Sequence, residues 1–229
     1  MGERWMDMRG PALTPRDNNI LRWLGRHGVV TAEQIQRRFF AGERAAYRRI
    51  HTLGEMGLIR RDATFYREPY VIRLTQVGAR VADVGVGPAE LVLAAVRHSL
   101  ALVELTERLV AQHPGATLIT EREFRARQLR ALREGTLQHC GRIPDGLLVL
   151  SPAEGGTHVA LELDLTPKRA YGITRVIDAY NDAFSPTSGD EQSVNAVWWF
   201  VAPATIERVR AVVHEKRADD FITVQEWQP

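Results

Sequence analysis

The stretch Ala160-Leu161-Glu162-Leu163-Asp164-Leu165 limits what this chain can become more than any other. A β-strand turns successive side chains to opposite faces, so Ala160, Glu162 and Asp164 share one face and the three leucines the other. Two carboxylates on an otherwise apolar strand are costly unless something pairs with them. A further acid is at hand, because Asp145 follows Pro144 in the strand-like run Ile143 to Leu150. Two arrangements satisfy these constraints. In one, Asp145, Glu162 and Asp164 converge as ligands of Mg²⁺ or Mn²⁺, hard cations that take oxygen donors and keep several waters. Such an ion activates a water and neutralises charge building on a scissile phosphate, which makes these acids and the nearby Lys168 a candidate catalytic set. In the other, the same acids form a salt-bridged polar patch closed by Arg142 and Lys168.

The surrounding pattern reads as an α/β layer over residues 88–229. Pro88 to His113 is one long helical stretch with Leu91, Ala95, Leu102, Leu105 and Leu109 among its apolar positions, suited to a core helix or a dimerisation helix. Strand-like segments follow at Ala116 to Thr120, Ile143 to Leu150 and His158 to Leu165. Between the first two lies Glu121 to Gly141, charged and poorly patterned, read as partly helical or as loop, with Arg122, Arg125, Arg127, Arg130 and Arg133. Those arginines either hold nucleic acid or solvate a surface. Pro167 opens another helix, in which Ile173, Val176, Ile177, Tyr180 and Phe184 form a buried stripe. A polar loop over Ser185 to Ser193, an apolar strand from Val194 to Ala202, a helix from Ala204 to Lys216 and a strand from Phe221 to Trp227 complete a mixed sheet. Trp198 and Trp199 fall in the apolar strand and are read as core.

Residues 1–84 have a different grammar. Thr14-Pro15-Arg16-Asp17 is a helix start, with Ile20, Leu21 and Leu24 as its stripe and Gly25 and Gly28 at its end. Thr31 with Gln34 makes a capping box for a short second helix with Ile35 and Phe39 facing inward. A third helix from about Glu43 to Met56 places Ala46, Ile50, Leu53 and Gly57 on one face and Arg44, Arg48, His51 and Glu55 on the opposite one, with Tyr47 on its flank. Gly57 to Arg61 and Tyr70 to Leu74 read as strands around a polar loop with Phe65, Tyr66 and Arg67 at its tip. Leu74 to Arg80 starts a fourth helix, and Gly85-Val86-Gly87-Pro88 closes the domain.

Three helices and a ribbon describe a winged helix-turn-helix, whose third helix enters the major groove while the ribbon follows the backbone. Arg44, Tyr47, Arg48 and His51 are then the groove face, and Arg60, Arg61 and Arg67 the phosphate contacts. Charge agrees, since residues 1–83 carry 15 Arg and no Lys against nine carboxylates, whereas the remainder is net acidic. Neutralising phosphates supplies most sequence-independent affinity, so double-stranded DNA is the expected partner. The alternative is that these arginines only solvate a helix that serves protein contacts. The expected fold class is therefore α+β, with a winged helix over 1–84 and a mixed-sheet domain over 88–229.

Other classes find little support. Cys140 is the single cysteine, which excludes an internal disulfide. Its pairing with His139 and His158 lacks the short ligand spacing of a zinc site. The apolar stretch Leu91 to Leu105 is broken by Arg97, His98 and Glu104 and is too short to span a bilayer, so no membrane partner and a cytoplasmic location are expected. No P-loop or dinucleotide glycine pattern occurs, and Ser99 and Ser151 lack a nucleophile elbow. A homodimer remains open by analogy with winged-helix proteins that read palindromes.

The Asp145 and Glu162-Leu163-Asp164 segments resemble the PD-(D/E)xK nuclease superfamily, in which an acid on one strand precedes an acid and a lysine two residues apart on the next. That resemblance implies Asp145 and Glu162 as metal ligands. Asp164 stands where the pattern has its lysine, and Lys168 is the substitute on offer. The Leu13-Thr14-Pro15-Arg16-Asp17 start, His98, Arg142-Ile143-Pro144-Asp145-Gly146 and Glu162-Leu163-Asp164-Leu165-Thr166-Pro167-Lys168 together resemble the replication-relaxation family of plasmids and integrative elements. This resemblance implies a role in replication, DNA relaxation or regulation of a mobile element. Two readings follow: a metal-dependent DNA endonuclease steered by a winged helix, and a non-enzymatic DNA-binding regulator with a degenerate nuclease-like dimerisation domain.

Overall fold

The computed structural model describes residues 12–134, 142–183 and 194–228. It divides into two compact units, Met1–Leu93 and Ala94–Pro229. The class is α+β. Phe184 and the loop expected over Ser185 to Ser193 lie outside the described residues, as do His139 and Cys140.

The first unit runs α1 (Pro15–His27), β1 (Val30–Thr31), α2 (Ala32–Phe39), α3 (Glu43–Glu55), β2 (Ile59–Asp62), β3 (Val71–Leu74) and α4 (Gln76–Ala82). Capping boxes close the starts of α1 and α2, with Thr14 and Asp17 exchanging hydrogen bonds at one and Thr31 and Gln34 at the other. Each box satisfies amide groups that a helix start otherwise leaves without partners. Gly25 does not end α1 but lies buried inside it. The stop is Gly28, whose N–H makes the last helical bond to Leu24 O at 2.7 Å and whose φ of 84° then turns the chain out of the helix. Gly57 likewise lies past α3 rather than on its apolar face: it is exposed, at φ 68°, and its N–H reaches Gly54 O.

The three strands form an antiparallel sheet in the order β1-β3-β2. The two-residue β1 carried no sequence signal of its own, because it is too short to show alternation. Ile20, Leu21, Leu24, Ile35, Ala46, Ile50, Leu53, Val71, Ile72 and Leu74 make the core. Phe39 is only half-buried and meets Trp23 edge to face at 5.6 Å. One ion pair lies within this core. Asp17 is fully buried and accepts from one edge of the Arg49 guanidinium, Nε at 2.7 Å on Oδ1 and Nη2 on Oδ2, which ties α1 to α3.

The second unit opens in α5 (Leu93–Gln112), which starts later than the expected Pro88. There follow β4 (Thr117–Thr120), α6 (Glu121–Arg133), β5 (Gly146–Val149), β6 (His158–Asp164), α7 (Ala170–Ala183), β7 (Ala196–Val201), α8 (Ile206–Glu215) and β8 (Ile222–Glu226). The sheet order is β4-β5-β6-β7-β8, antiparallel from β4 to β6 and parallel from β6 to β8. α6 has no buried residue, so it lacks the stripe that would have announced it, although Thr120 and Glu123 form a capping box at its start.

Both faces of the sheet are covered. Ala160, Val197, Trp199 and Val201 pack with Ile173, Val176, Ile177 and Tyr180 of α7 and Val209, Val212 and Val213 of α8. Val159, Leu161, Leu163 and Phe200 pack with Leu105 and Leu109 of α5. β6 is therefore a central strand with two dry faces, and its carboxylates must be matched inside the protein.

Candidate functional site

In the first unit, helical spacing brings Arg44, Tyr47, Arg48 and His51 to the exposed side of α3, opposite buried Ala46, Ile50 and Leu53. Tyr47 is 45% exposed. Among the described residues, Arg44, Arg48 and Arg61 enter no ion pair. His51 Nδ1 lies 3.2 Å from Glu55, which shares its face. The ribbon differs in part from expectation. Arg60 is exposed, but its guanidinium is engaged by Asp62 at 2.6 Å, and Asp62 also accepts from Arg73 Nε at 2.7 Å. Hydrogen bonds from Arg73 and then Arg60 outweigh burial and hold the Asp62 carboxyl below its usual value. At the loop tip Arg67 adopts φ 64° and lies 5.1 Å over the ring of Tyr66, itself 86% exposed. The result is a basic and aromatic surface with unengaged guanidinium groups, the chemistry that phosphates and base edges take up.

In the second unit, the pairing of Gly146 with Leu161 sets Asp145 beside Glu162 on the neighbouring strand. Glu162 is 2% exposed, and each of its oxygens is engaged. Arg142 approaches it as a fork, Nε 2.7 Å from Oε1 and Nη2 2.5 Å from Oε2. The buried Tyr180 hydroxyl donates to Oε1 at 2.5 Å, and Arg142 lies 5.7 Å over the Tyr180 ring. Burial pushes the Glu162 carboxyl up, with the Arg142 hydrogen bonds pulling the other way. Asp164 accepts from Trp199 Nε1 at 3.1 Å and meets Lys168 Nζ at 2.5 Å. Lys168 lies in the non-helical turn before α7, since that helix starts at Ala170 and not at the expected Pro167. Asp145 turns elsewhere: Oδ2 accepts from Leu163 N at 2.8 Å and lies 3.3 Å from His98 Nε2. That same nitrogen is 3.1 Å from Leu163 O. The hydrogen bond to Asp145 raises the His98 pKa above its usual value.

Asp145, Glu162 and Asp164 are thus neighbours in the fold without forming one ligand set. Among the described residues no group of three or more His, Cys, Asp or Glu side chains is placed to hold a metal ion. The Mg²⁺ or Mn²⁺ implied by the nuclease resemblance does not fit this geometry. The guanidinium of Arg142 and the ammonium of Lys168 stand against the two β6 acids, and His98 stands against Asp145. Glu162 and Asp164 do share the face that alternation gave them. Two partners escaped the sequence reading. Tyr180 was read only as part of a buried stripe, although a buried phenol needs an acceptor. His98 enters the sequence reading as a break in the apolar helix and as one carrier of the family resemblance, with no partner assigned to it.

The sequence model of a family described as replication-relaxation matches residues 21–197. No curated protein matches. Solved structures with some likeness include two mutants of Lactococcus lactis ZitR. The first is 21% identical over 60% of this chain and 82% of that one, with a TM-score of 0.29. The second is 20% identical over the same shares, also at 0.29. Likeness at this level carries no argument about function.

Proposed function

The chain belongs to the replication-relaxation family, and from that premise we propose that it is a non-cutting, duplex-binding protein acting in the replication of a mobile element. The first unit engages double-stranded DNA through α3 and the ribbon. The second unit keeps the strand and helix order of a nuclease without its chemistry. The observation that carries this reading is the two-pronged hold of Arg142 on Glu162, reinforced by Tyr180. A divalent ion at Glu162 would have to displace a charged group of complementary shape from a site that is 2% exposed. Lys168 against Asp164 repeats the pattern. The unengaged guanidinium groups of Arg44, Arg48 and Arg61 support the other half of the reading. They are surface charges that nothing within the described residues neutralises.

The test has two parts on the full chain. Anisotropy with labelled duplex DNA at low salt is expected to show binding that weakens steeply as salt rises. Incubation with supercoiled plasmid in Mg²⁺ or Mn²⁺ is expected to leave the plasmid intact. Nicking or linearisation that disappears in Glu162→Ala would overturn the non-cutting assignment and restore the endonuclease. Absence of any duplex binding would overturn the first half.

A further inference from the structure

A cleft of about 560 Å³ opens between the start of α1 and the middle of α3, lined by Thr14, Arg16, Phe40, Arg48, Arg49 and Thr52 among others. Its charges are not equivalent. Arg49 is committed to buried Asp17, and its Nη2 also donates to Ala12 O at 3.1 Å. Asp17 lines the cleft too, yet its carboxylate is fully buried and matched by that guanidinium. Arg16 and Arg48 are exposed and join no ion pair among the described residues. Arg16 is held 5.0 Å over the Phe40 ring, which orients its fork and lowers the entropy lost when it takes a ligand. At the α1 start Pro15 has no N–H and Asp17 N donates to Thr14 Oγ1, so neither offers a donor to the cleft. Arg16 and Arg48 are the lining charges with no counter-charge among the described residues.

We infer that Arg16 and Arg48 form a clamp for one backbone phosphate of the duplex, and that Arg48 positions α3 rather than reading base edges. This rests on the duplex-binding reading and reassigns one residue within it. Arg48 borders both the cleft and the exposed face of α3, so a phosphate seated there fixes the helix along the strand. Arg44 and Tyr47 lie outside the residues lining the cleft and are left to meet the bases. A contact to phosphate carries no sequence information, whereas a contact to a base edge does.

The experiment compares the full chain with Arg16→Ala, Arg48→Ala and the double variant by anisotropy on two unrelated duplexes, from about 50 to 200 mM salt. Each single change is expected to weaken binding equally on both duplexes and to reduce the slope of log K against log salt by about 1, the pair by about 2. Arg16→Lys is expected to keep most of that slope. Unaltered melting temperatures check that both exposed substitutions leave the unit folded. If the parent chain binds duplex DNA and the Arg16→Ala slope is unchanged, the clamp is refuted while duplex binding stands; if the parent binds no duplex, both fall. Calorimetric titration with pyrophosphate separates a second source. Saturable binding that Arg16→Ala removes, with no change in the DNA slope, would assign the cleft to a small phosphorylated ligand and overturn the backbone contact.

Discussion

Replacing Arg142 by alanine removes both donors that face the Glu162 oxygens and leaves only the Tyr180 hydroxyl. Glu162 cannot turn to water, because its side chain is 3% exposed, while that of Arg142 is 26% exposed. Breaking one side of such a pair costs about 3 to 5 kcal/mol when the remaining charge stays buried. Protonation offers an escape. Burial already pushes the Glu162 carboxyl up, and the hydrogen bonds from Arg142 oppose it. Without Arg142 its pKa rises further, so the native state holds a proton that the unfolded chain has released. Stability must then fall as pH rises from the usual carboxylate value toward the raised one, by about 1.4 kcal/mol per pH unit. Glu162→Gln should cost less, about 1 to 3 kcal/mol, because the more exposed Arg142 can swing outward. Combined with Arg142→Met, it should recover part of the single-variant loss, and the non-additivity measures the coupling. Urea unfolding at several pH values, followed by circular dichroism and tryptophan fluorescence, supplies the numbers. A loss below about 1 kcal/mol for Arg142→Ala, with no added pH slope, would refute the claim that this guanidinium holds the acid.

Two further outcomes concern pH. Hydrogen bonds from Arg49 and Thr14 overcome burial and hold the Asp17 carboxyl below its usual 3.8, so its stabilisation is present above that value and is lost as pH falls through the depressed one. Arg49→Ala should destabilise the first unit by about 3 kcal/mol near neutrality and shift its acid transition upward, and an acid midpoint matching the parent chain would count against the pair. His98 behaves oppositely: its pKa is raised above 6.5 through Asp145, so its contribution is complete below 6.5 and fades as pH climbs through the raised value. Melting temperatures across that range should fall less steeply in His98→Gln, and an identical slope would show that the histidine does not stay protonated against Asp145.

What the sequence announced and what it hid follow from the range of the interactions involved. The helix start at Thr14, the capping box at Thr31, the Ala46-Ile50-Leu53 stripe and the alternation through Glu162 and Asp164 are local, and each appears where its spacing put it. α6 is hard to tell from loop in the sequence because it presents no buried stripe, and β1 gives no signal because two residues cannot alternate. Proximity of Asp145 to Glu162 was legible from two adjacent strands. The direction of the Asp145 carboxylate was not, since Leu163 N and His98 decide it and both are distant in sequence. Arg142 and Lys168 were recognised as possible counter-charges, yet only coordinates distinguish a fork at 2.5 to 2.7 Å from a loose surface cation. Arg60 and Asp62 are only two positions apart and so share one face of β2, a local pairing that assigning Arg60 to phosphates left out.

β6 has no wet side, which changes how its alignment with β5 and β7 is chosen. In a half-exposed strand, sliding by one residue is opposed by exposing leucines to solvent. Here both sides are interior, and sliding would trade one dry layer for another. What discriminates is polarity: a shift by one would carry Glu162 and Asp164 under α5, beside Leu105 and Leu109, while Arg142 and Lys168 faced leucines. The acids thus act as a locating key for the whole sheet, whether or not they ever meet a substrate.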